Sequence, residues 1–394
     1  MTAATIRIVA FDARYVNDWY QGIGRHAYNL LEALTRLDPD RRYLAFYHPD
    51  YPNTRFNLEM LRERSNVELR LIRLPLYLPQ EQLVWPLLLT QARADLFHSP
   101  YVVLPLLART RLAMTVHDLI YELLPESRPR NYLQRCYFPI TYLGIKRADL
   151  VFTVTESSSR DIQAYYRVNR ERIQVIGNAV DPTFRRESDP ACLAAVRERY
   201  GLPEHLILTA GAGRPYKNAE TLVEAFARLD RALAPALVIG GELDRHFPDG
   251  LGARIHALSI ASRVIRLGMI READLPVVYS LADVFVFPSL IEGFGLPPLE
   301  AMACGTPVLA STTPAVSEVV GDAALAFDAR DAEQLATVLS RALLDTALRT
   351  TLRRRGLERV RAFTWESVAR KTLQAYATIE APMPSGYPCS YHCP

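Results

Sequence analysis

The sequence predicts an α/β protein with two doubly wound domains, each built on a parallel sheet, that face each other across a cleft. Three observations predict this fold. Short apolar runs alternate with helical segments, the alternation restarts after residue 200, and the charged, proline-punctuated segment Asp181–Tyr200 separates the two series. Strands in continuous hydrophobic runs indicate parallel sheets that helices cover on both faces.

The first series supplies the strands of the N-terminal domain. Its apolar runs are rich in β-branched and aromatic residues, and the apolar residues of Arg25–Leu37 recur at helical spacing. The predicted strands are Ile6–Phe11, Tyr43–Tyr47, Val67–Ile72, Leu96–Phe97, Ala113–Val116, Leu150–Val154 and Ile173–Ile176.

The second series repeats the pattern with six strands and the helices between them. The predicted strands are Leu206–Ala210, Ala236–Ile239, Val264–Leu267, Val284–Phe287, Val308–Ala310 and Ala324–Phe327. The predicted helices are Thr221–Leu229, Ala273–Leu281 and Asp331–Leu344. We therefore predict domains over 1–182 and 183–363, a final helix over 364–380 and a loose tail over 381–394.

Composition excludes several classes of protein. The 394 residues are 49% hydrophobic and 23% charged, and 46 basic against 43 acidic residues give a net charge of +3, too little for a nucleic-acid-binding face. Five scattered cysteines favour a reducing compartment. No signal peptide and no membrane-spanning apolar stretch are recognisable, so we expect a cytoplasmic protein that at most rests on a membrane surface.

The segment 285–305 is the strongest candidate for a binding site. A strand is followed by a loop with Gly293 and Gly295, and a helix begins near Leu296. Free backbone N–H groups and the helix dipole make such a turn an anion site. The carboxylates of Glu292 and Glu300 bracket this anion site, and carboxylates accept hydrogen bonds from sugar hydroxyls. The ligand implied is therefore a phosphate that carries at least one sugar.

The segment 210–218 also follows a strand and opens a helix. Gly211 and Gly213 let a ligand approach the backbone, while Arg214 and Lys217 supply fixed positive charge. Preorganised cations stabilise the charge that a departing diphosphate gains in the transition state. Solvated basic residues on a turn are the alternative interpretation.

The N-terminal domain contributes polar residues at strand ends. Gly22 and Gly24 precede a helix, and His98 and His117 each end a predicted strand. Doubly wound sheets bind ligands at the carboxyl ends of their strands. We expect His117 to donate a hydrogen bond to a sugar hydroxyl or phosphate, and leave His98 open between a site residue and a core residue.

Taken together, these residues resemble the retaining glycosyltransferases of GT-B fold, family 4, also called glycosyl transferases group 1. The most specific match is Glu292-x7-Glu300 within 288–308; Gly22-Ile-Gly-Arg25, Thr115-Val-His-Asp118 and Asn178-Ala-Val-Asp181 are weaker. One departure is Tyr216, where the family often has arginine before the matching lysine. Phe363-Thr-Trp365 resembles the start of the family's final helix, which crosses back to the N-terminal domain.

The resemblance implies a role for each candidate residue. Glu292 contacts the donor sugar, Glu300 the ribose, Lys217 and Arg214 the diphosphate, and His117 the region of the reacting carbon. The other implied donor contacts are the N–H groups of the loop (Gly293, Phe294, Gly295, Leu296) and the glycine turns that face the diphosphate (Gly22, Gly24, Gly211). The family acts without a metal or a cofactor.

The resemblance also implies partners. The donor is a nucleoside-diphosphate sugar, with GDP-mannose favoured because Gly22-Ile-Gly-Arg25 and His98-Ser-Pro100 are most similar to the branch that makes surface polysaccharides by mannosyl transfer. The acceptor is a saccharide or a lipid-linked saccharide. A lipid-linked acceptor implies peripheral contact with the inner face of the membrane.

Two other functions fit parts of the sequence. Gly22-x-Gly-x-x-Ala27 formally satisfies a dinucleotide fingerprint, but it starts about ten residues after the first strand, and no acidic residue ends the second strand at the spacing a nicotinamide-dependent oxidoreductase needs. A non-catalytic sugar-nucleotide-binding protein is the second alternative, disfavoured by the intact carboxylate pair. Cys389, His392 and Cys393 supply three potential metal ligands without a fourth, which makes a poor zinc site.

Overall fold

Two parallel sheets, one in each half of the chain, form the centre of the molecule. The computed structural model describes residues 5–125, 128, 132–211, 213–233, 235–241 and 249–380. The N-terminal strands are β1 (Ile8–Asp12), β2 (Arg42–Tyr47), β3 (Val67–Leu71), β4 (Leu96–Ser99), β5 (Arg111–Thr115), β6 (Leu150–Thr153) and β7 (Ile173–Val175). The C-terminal strands are β8 (Leu206–Ala210), β9 (Ala236–Gly240), β10 (Val264–Gly268), β11 (Val284–Phe287), β12 (Val308–Ser311) and β13 (Ala324–Phe327).

Helices connect the strands and cover the sheets. In the N-terminal half they are α1 (Gln21–Leu37), α2 (Leu58–Arg62), α3 (Glu81–Gln91), α4 (Ile120–Leu123), α5 (Tyr132–Arg147) and α6 (Glu156–Tyr166). In the C-terminal half they are α7 (Pro190–Tyr200), α8 (Ala219–Ala227), α9 (Gly250–Ala257), α10 (Leu275–Leu281), α11 (Leu296–Ala303), α12 (Pro314–Val320), α13 (Ala332–Leu344), α14 (Thr346–Val360) and α15 (Trp365–Glu380).

The strand order places a ligand-binding crevice in each half. The sheets run β3-β2-β1-β4-β5-β6-β7 and β10-β9-β8-β11-β12-β13, and the named strands pair in parallel throughout. The order therefore reverses between β1 and β4 and again between β8 and β11. Ligands of doubly wound sheets bind at such reversals, beyond the carboxyl ends of the strands. The fold predicted from the sequence is confirmed.

Apolar side chains fill both faces of each sheet, and the last helix belongs to the N-terminal half. Trp365, Val368, Ala369 and Tyr376 of α15 lie in one buried cluster with residues of β1 and α1. These apolar residues recur at three- and four-residue steps, which places them on one face of the helix. The chain therefore leaves the first half after β7, builds the second half and returns along α15.

The structure corrects two local predictions. Gly22 and Gly24 lie in the first turn of α1, which begins at Gln21, and not in a loop before the helix. The second half of the charged segment Asp181–Tyr200 is helix α7, whose first residue is Pro190 and whose N-terminal amide at Ala191 is capped by Asp189. A proline at the first helical position and an Asp cap favour a helix start, so the part of this segment from residue 190 onward is a helix that its charge and proline content did not indicate.

Candidate functional site

An ion pair lies at the carboxyl edge of the C-terminal sheet. Lys217 Nζ donates to Glu292 Oε1 at 2.7 Å, and the two side chains are 18% and 9% exposed. The ammonium group also lies over the rings of Phe287 at 5.3 Å and Tyr216 at 5.4 Å. Limited exposure and the aromatic surroundings reduce screening by water, so a charged ligand meets a strong local field here.

Backbone contacts hold the two loops that carry this pair together. Leu290 N donates to Tyr216 O at 2.8 Å. Asn218, in the left-handed conformation with φ of 58°, donates from its side-chain amide to Pro288 O at 2.9 Å and to Ala329 O at 2.6 Å. The segments after β8 and β11 therefore form one rigid unit.

The loop after β11 ends at the amino terminus of α11 as predicted. Gly295 has φ of 98°, a conformation that favours glycine, and a proline lies in the first turn of the helix. Phe294 is buried and its ring packs against Phe363 at a centroid distance of 5.8 Å. Leu296 is the first helical residue, so the backbone N–H groups at this turn are those that an α-helix leaves without internal partners.

Glu300 contacts the N-terminal half of the molecule. Its Oε1 accepts from Arg25 Nη1 at 2.6 Å, and its Oε2 accepts from the hydroxyl of Tyr279 at 3.0 Å. Arg25 also pairs with Glu272, which in turn pairs with Arg55 at 3.0 Å. Burial raises the pKa of the Glu300 carboxyl and the Arg25 guanidinium opposes that shift.

His117 follows β5, and its backbone carbonyl lies against Gly293 of the C-terminal half. Its Nε2 lies 3.0 Å from Pro100 O, and because a carbonyl oxygen only accepts, Nε2 carries the proton. Burial lowers the pKa of the ring to about 4, so it is neutral at pH 7 and Nδ1 is an acceptor. This corrects the expected role: the neutral ring can accept from a sugar hydroxyl at Nδ1, but cannot donate to a phosphate from that atom.

Gly293 brings the two halves into direct contact. A Cβ atom at this residue would lie 2.1 Å from His117 O and 2.7 Å from Asp118 Cβ, so only glycine allows the approach. The carbonyl of Gly293 accepts from Thr155 Oγ1 at 2.9 Å and from Ser158 Oγ at 3.2 Å. The loop that carries Glu292 is therefore docked on the ends of β5 and β6.

Asp118 is the most perturbed carboxyl at this contact. Burial raises its pKa to about 6, a hydrogen bond from Ile120 N opposes the shift, and the charge of Glu292 adds to it. The negative charge of Glu122 also raises the pKa of Asp118, and the positive charge of Lys217 lowers it. Perturbed carboxyls concentrate at functional sites.

The remaining predicted glycines and Arg214 lie around the same edge. Gly22 has open space where a side chain would be, whereas a Cβ at Gly24 would meet Tyr15 O at 2.9 Å, so Gly24 allows close packing. Gly211 has φ of 75° and is also open. Arg214 lies over the ring of Tyr121 from the N-terminal half at 5.8 Å.

His98 belongs to the core and not to the site. Its Nδ1 lies 2.6 Å from the hydroxyl of Tyr376, and its Nε2 lies 3.3 Å from Thr115 Oγ1. Both ring nitrogens therefore serve to tie β4 to α15 and β5. The Cys389–Cys393 segment lies outside the described residues, and within the described ranges no three His, Cys, Asp or Glu side chains form a metal-binding group.

Sequence reasoning missed several residues that complete this region. Their shared feature is a partner far away in the chain. They are Arg25, Thr155, Ser158, Asn218 and Tyr279. Thr155 alone gave a signal, since it follows a strand and its hydroxyl accepts from Ser158 N at the start of α6, which is typical of an N-cap.

Two doubly wound domains with their switch points turned toward one another, and a carboxylate pair at the amino end of α11, define a protein of the GT-B class. Residues 196–359 match the family described as Glycosyl transferases group 1, and residues 20–184 match Glycosyltransferase Family 4. The two matches together span most of the chain, which belongs to this glycosyltransferase family, as predicted.

Two relatives agree with that assignment. The chain is 29% identical over 290 residues to O-antigen chain mannosyltransferase B of Escherichia coli, covering 72% of this chain and 74% of that protein. It is 29% identical over 282 residues to serotype-specific mannosyltransferase WbdA of Escherichia coli, covering 67% of this chain but only 33% of that protein, so it spans about a third of that relative.

The fold has a close structural counterpart. The structure of Alr3699/HepE from Anabaena in complex with UDP and glucose superposes with a TM-score of 0.71 at 20% identity, covering 95% of this chain and 100% of that one. Among the residues that the structure describes, no helix combines the length and apolar content that crossing a bilayer requires.

Proposed function

We propose that the protein transfers a hexosyl group, mannosyl from GDP-mannose, to a saccharide or lipid-linked saccharide acceptor, with retention of configuration and without a metal or cofactor. The observation that carries the proposal is the Lys217–Glu292 pair at the amino end of α11, docked against the His117 segment through Gly293. A cation, a carboxylate and free N–H groups meet there, which suits a ligand with both diphosphate and sugar hydroxyls.

Each group has a task in this reaction. Glu292 accepts hydrogen bonds from hydroxyls of the donor sugar. The neutral His117 ring accepts a hydrogen bond at Nδ1 from another hydroxyl of the same sugar. Glu300 accepts from the ribose, and Arg25, its present partner, is the group that must make room. Lys217 and Arg214 stabilise the diphosphate as its charge develops.

The reaction itself exchanges one bond to the anomeric carbon for another. The bond to the diphosphate oxygen breaks and the acceptor hydroxyl oxygen attacks from the same face. The hydroxyl proton passes to the departing diphosphate. No protein base is needed in this scheme, so the chain contributes positioning and charge stabilisation.

The donor is proposed from the relatives, two of which are named as mannosyltransferases of O-antigen or serotype-specific type. A thermal-shift panel tests it with GDP-mannose, GDP, UDP-glucose and NADH. A ligand that binds only the folded state raises the melting temperature with the logarithm of its concentration over Kd. GDP-mannose and GDP should raise it.

The other results of this panel would overturn part or all of the proposal. A shift with UDP-glucose and none with GDP-mannose would remove the donor assignment. A shift with NADH alone would favour the oxidoreductase. If no nucleotide sugar shifted the melting temperature or released a nucleoside diphosphate, the transferase proposal would fail.

We further propose that one face of the N-terminal half rests on a membrane that holds a lipid-linked acceptor. Leu83 and Leu87 are exposed one turn apart on α3, and Leu107 is also exposed. Hydrogen bonds from Gln82 to the backbone of residues 104–106 join α3 to the loop that carries Leu107.

The charge of this face suits an anionic surface. Arg93 and Arg109 are exposed in the segments 82–93 and 101–111, which contain no acidic residue. The Leu83→Glu/Leu87→Glu variant should therefore lose co-sedimentation with vesicles that contain anionic lipid. Equal co-sedimentation of variant and wild type would contradict the proposal.

A further inference from the structure

An exposed tryptophan lies in the connection between β1 and α1. Trp19 is 62% exposed, whereas the other two tryptophans, Trp85 and Trp365, are 1% and 8% exposed. The segment around it is fixed: Trp19 N donates to Asn17 Oδ1 at 2.8 Å, and Asp18 N donates to Pro52 O at 2.8 Å. The large apolar ring is therefore held in water by an ordered loop.

Two further rings support Trp19. Its ring lies 4.8 Å from that of Tyr51, which stacks on His48 at 4.0 Å with an interplanar angle of 10°. The hydroxyl of Tyr51 accepts from Leu76 N at 3.1 Å, which fixes the ring on the backbone. Trp19, Tyr51 and His48 thus form a small aromatic platform.

Packed rings fix the loop that carries this platform to the strand ends of the N-terminal sheet. The ring of Tyr20, the neighbour of Trp19 in the chain, lies 5.3 Å from that of Tyr15, and Tyr15 lies 5.5 Å from Tyr101. The ring of Tyr101 lies 6.4 Å from that of His117. Because Tyr15 is buried, these rings hold the Trp19 loop on the same half as His117 and leave Trp19 as the exposed ring.

We propose that the Trp19 platform is a remote acceptor subsite that stacks on a sugar ring several residues away from the reacting hydroxyl. One face of a pyranose ring presents C–H groups, which are attracted to the electron-rich face of an indole, while the hydroxyls at the rim stay in water. Rigid aromatic rings supply such contact area with little loss of side-chain entropy. The inference rests on the proposed function and makes the acceptor a saccharide chain, not a single sugar.

Tryptophan fluorescence tests binding directly, since Trp19 is the exposed one of the three tryptophans. Linear α-mannose oligosaccharides of one to five residues serve as probes, with anionic vesicles as a separate arm. The five-residue probe should shift the emission of wild-type protein, and mannose at the same concentration should not. A shift with vesicles and none with oligosaccharides would overturn the proposal in favour of a membrane contact.

Kinetics separate this inference from the proposed function. Trp19→Ala should raise the KM for the five-residue acceptor about tenfold more than the KM for mannose, and Trp19→Tyr should restore most of the difference. Tyr165→Ala, which removes an exposed ring elsewhere, is the matched control and should leave both values unchanged. If the ratio of the two KM values, five-residue acceptor to mannose, were equal in wild type and Trp19→Ala, the subsite would be overturned and the proposed transferase function would stand. If wild-type protein released no nucleoside diphosphate, the proposed function itself would be refuted.

Discussion

The two halves of the site are built in different ways. On the C-terminal side, Lys217 and Glu292 lie in loops that directly follow β8 and β11, and their hydrogen bond and ring contacts stay within that half. On the N-terminal side, Arg25, His117 and Thr155 come from separate strand and helix ends, and Arg25 and Thr155 bond to the opposite half. The first side is a local motif, and the second is a surface assembled from distant parts of the chain that contacts it.

Removing the cation of the C-terminal side should have the largest effect. Lys217→Ala deletes the charge proposed to face the diphosphate and leaves Glu292 without its partner, so nucleoside-diphosphate release should fall about 100- to 1,000-fold. Lys371→Ala removes an exposed lysine of α15 and should change the rate less than about twofold. A Lys217→Ala rate near wild type would show that the pair is merely structural.

Blocking the contact between the halves should have the next largest effect. Gly293→Ala places a Cβ against His117 O, which forces the Glu292 loop away from the N-terminal side. A displacement of about 1 Å can cost about 100-fold in rate, so kcat/KM should fall by that order. At Gly144, a Cβ would meet only Leu104 Cβ at 3.7 Å, and Gly144→Ala is the control. Full activity in Gly293→Ala would mean that the two sides act independently.

The smallest effect expected is a pH-dependent change in stability at Asp118. The folded state holds this proton more tightly than the unfolded chain, so the contribution of Asp118 to the free energy of unfolding falls as pH rises from about 4 to about 6 and stays low above that. The Asp118→Asn variant lacks this pH-dependent loss. Its free energy of unfolding, relative to that of wild type, should therefore rise by up to about 2 kcal/mol between pH 4 and pH 7.5. Chemical denaturation at pH 4 and at pH 7.5 measures the free energy of unfolding of both proteins. A difference between variant and wild type that is the same at both pH values would refute the shifted pKa of Asp118.

The contrast between the two sides also explains what the sequence could predict. The site after β11 is readable because Phe287, the glycines, a helix-opening proline and Glu300 are all within fifteen residues, and each has a local conformational reason. Strands were predictable from their apolar runs since both faces of each sheet are buried. The helix α7 was missed because its capping Asp189 and Pro190 resemble a linker in composition.

The N-terminal side was less predictable because its geometry depends on distant partners. His98 and His117 both end buried strands, yet His98 bonds to Tyr376 from the far end of the chain and becomes part of the core. In the sequence Arg25 is recognisable only as part of a glycine motif, and its pairing with Glu300 depends on how the halves meet. Gly24 is predicted to face a ligand, but the position of its missing side chain is occupied by the backbone oxygens of Tyr15 and Asn17, which precede α1.

Release of GDP from GDP-mannose by two charge-deleted variants tests the central claim most directly. Glu292 and Glu224 are both carboxylates of the C-terminal half that pair with a cation, but only Glu292 lies in the proposed donor site. We expect Glu292→Gln to lose about 100-fold or more of the initial rate and Glu224→Gln to stay within about twofold of wild type. Equal rates for the two variants would contradict the account.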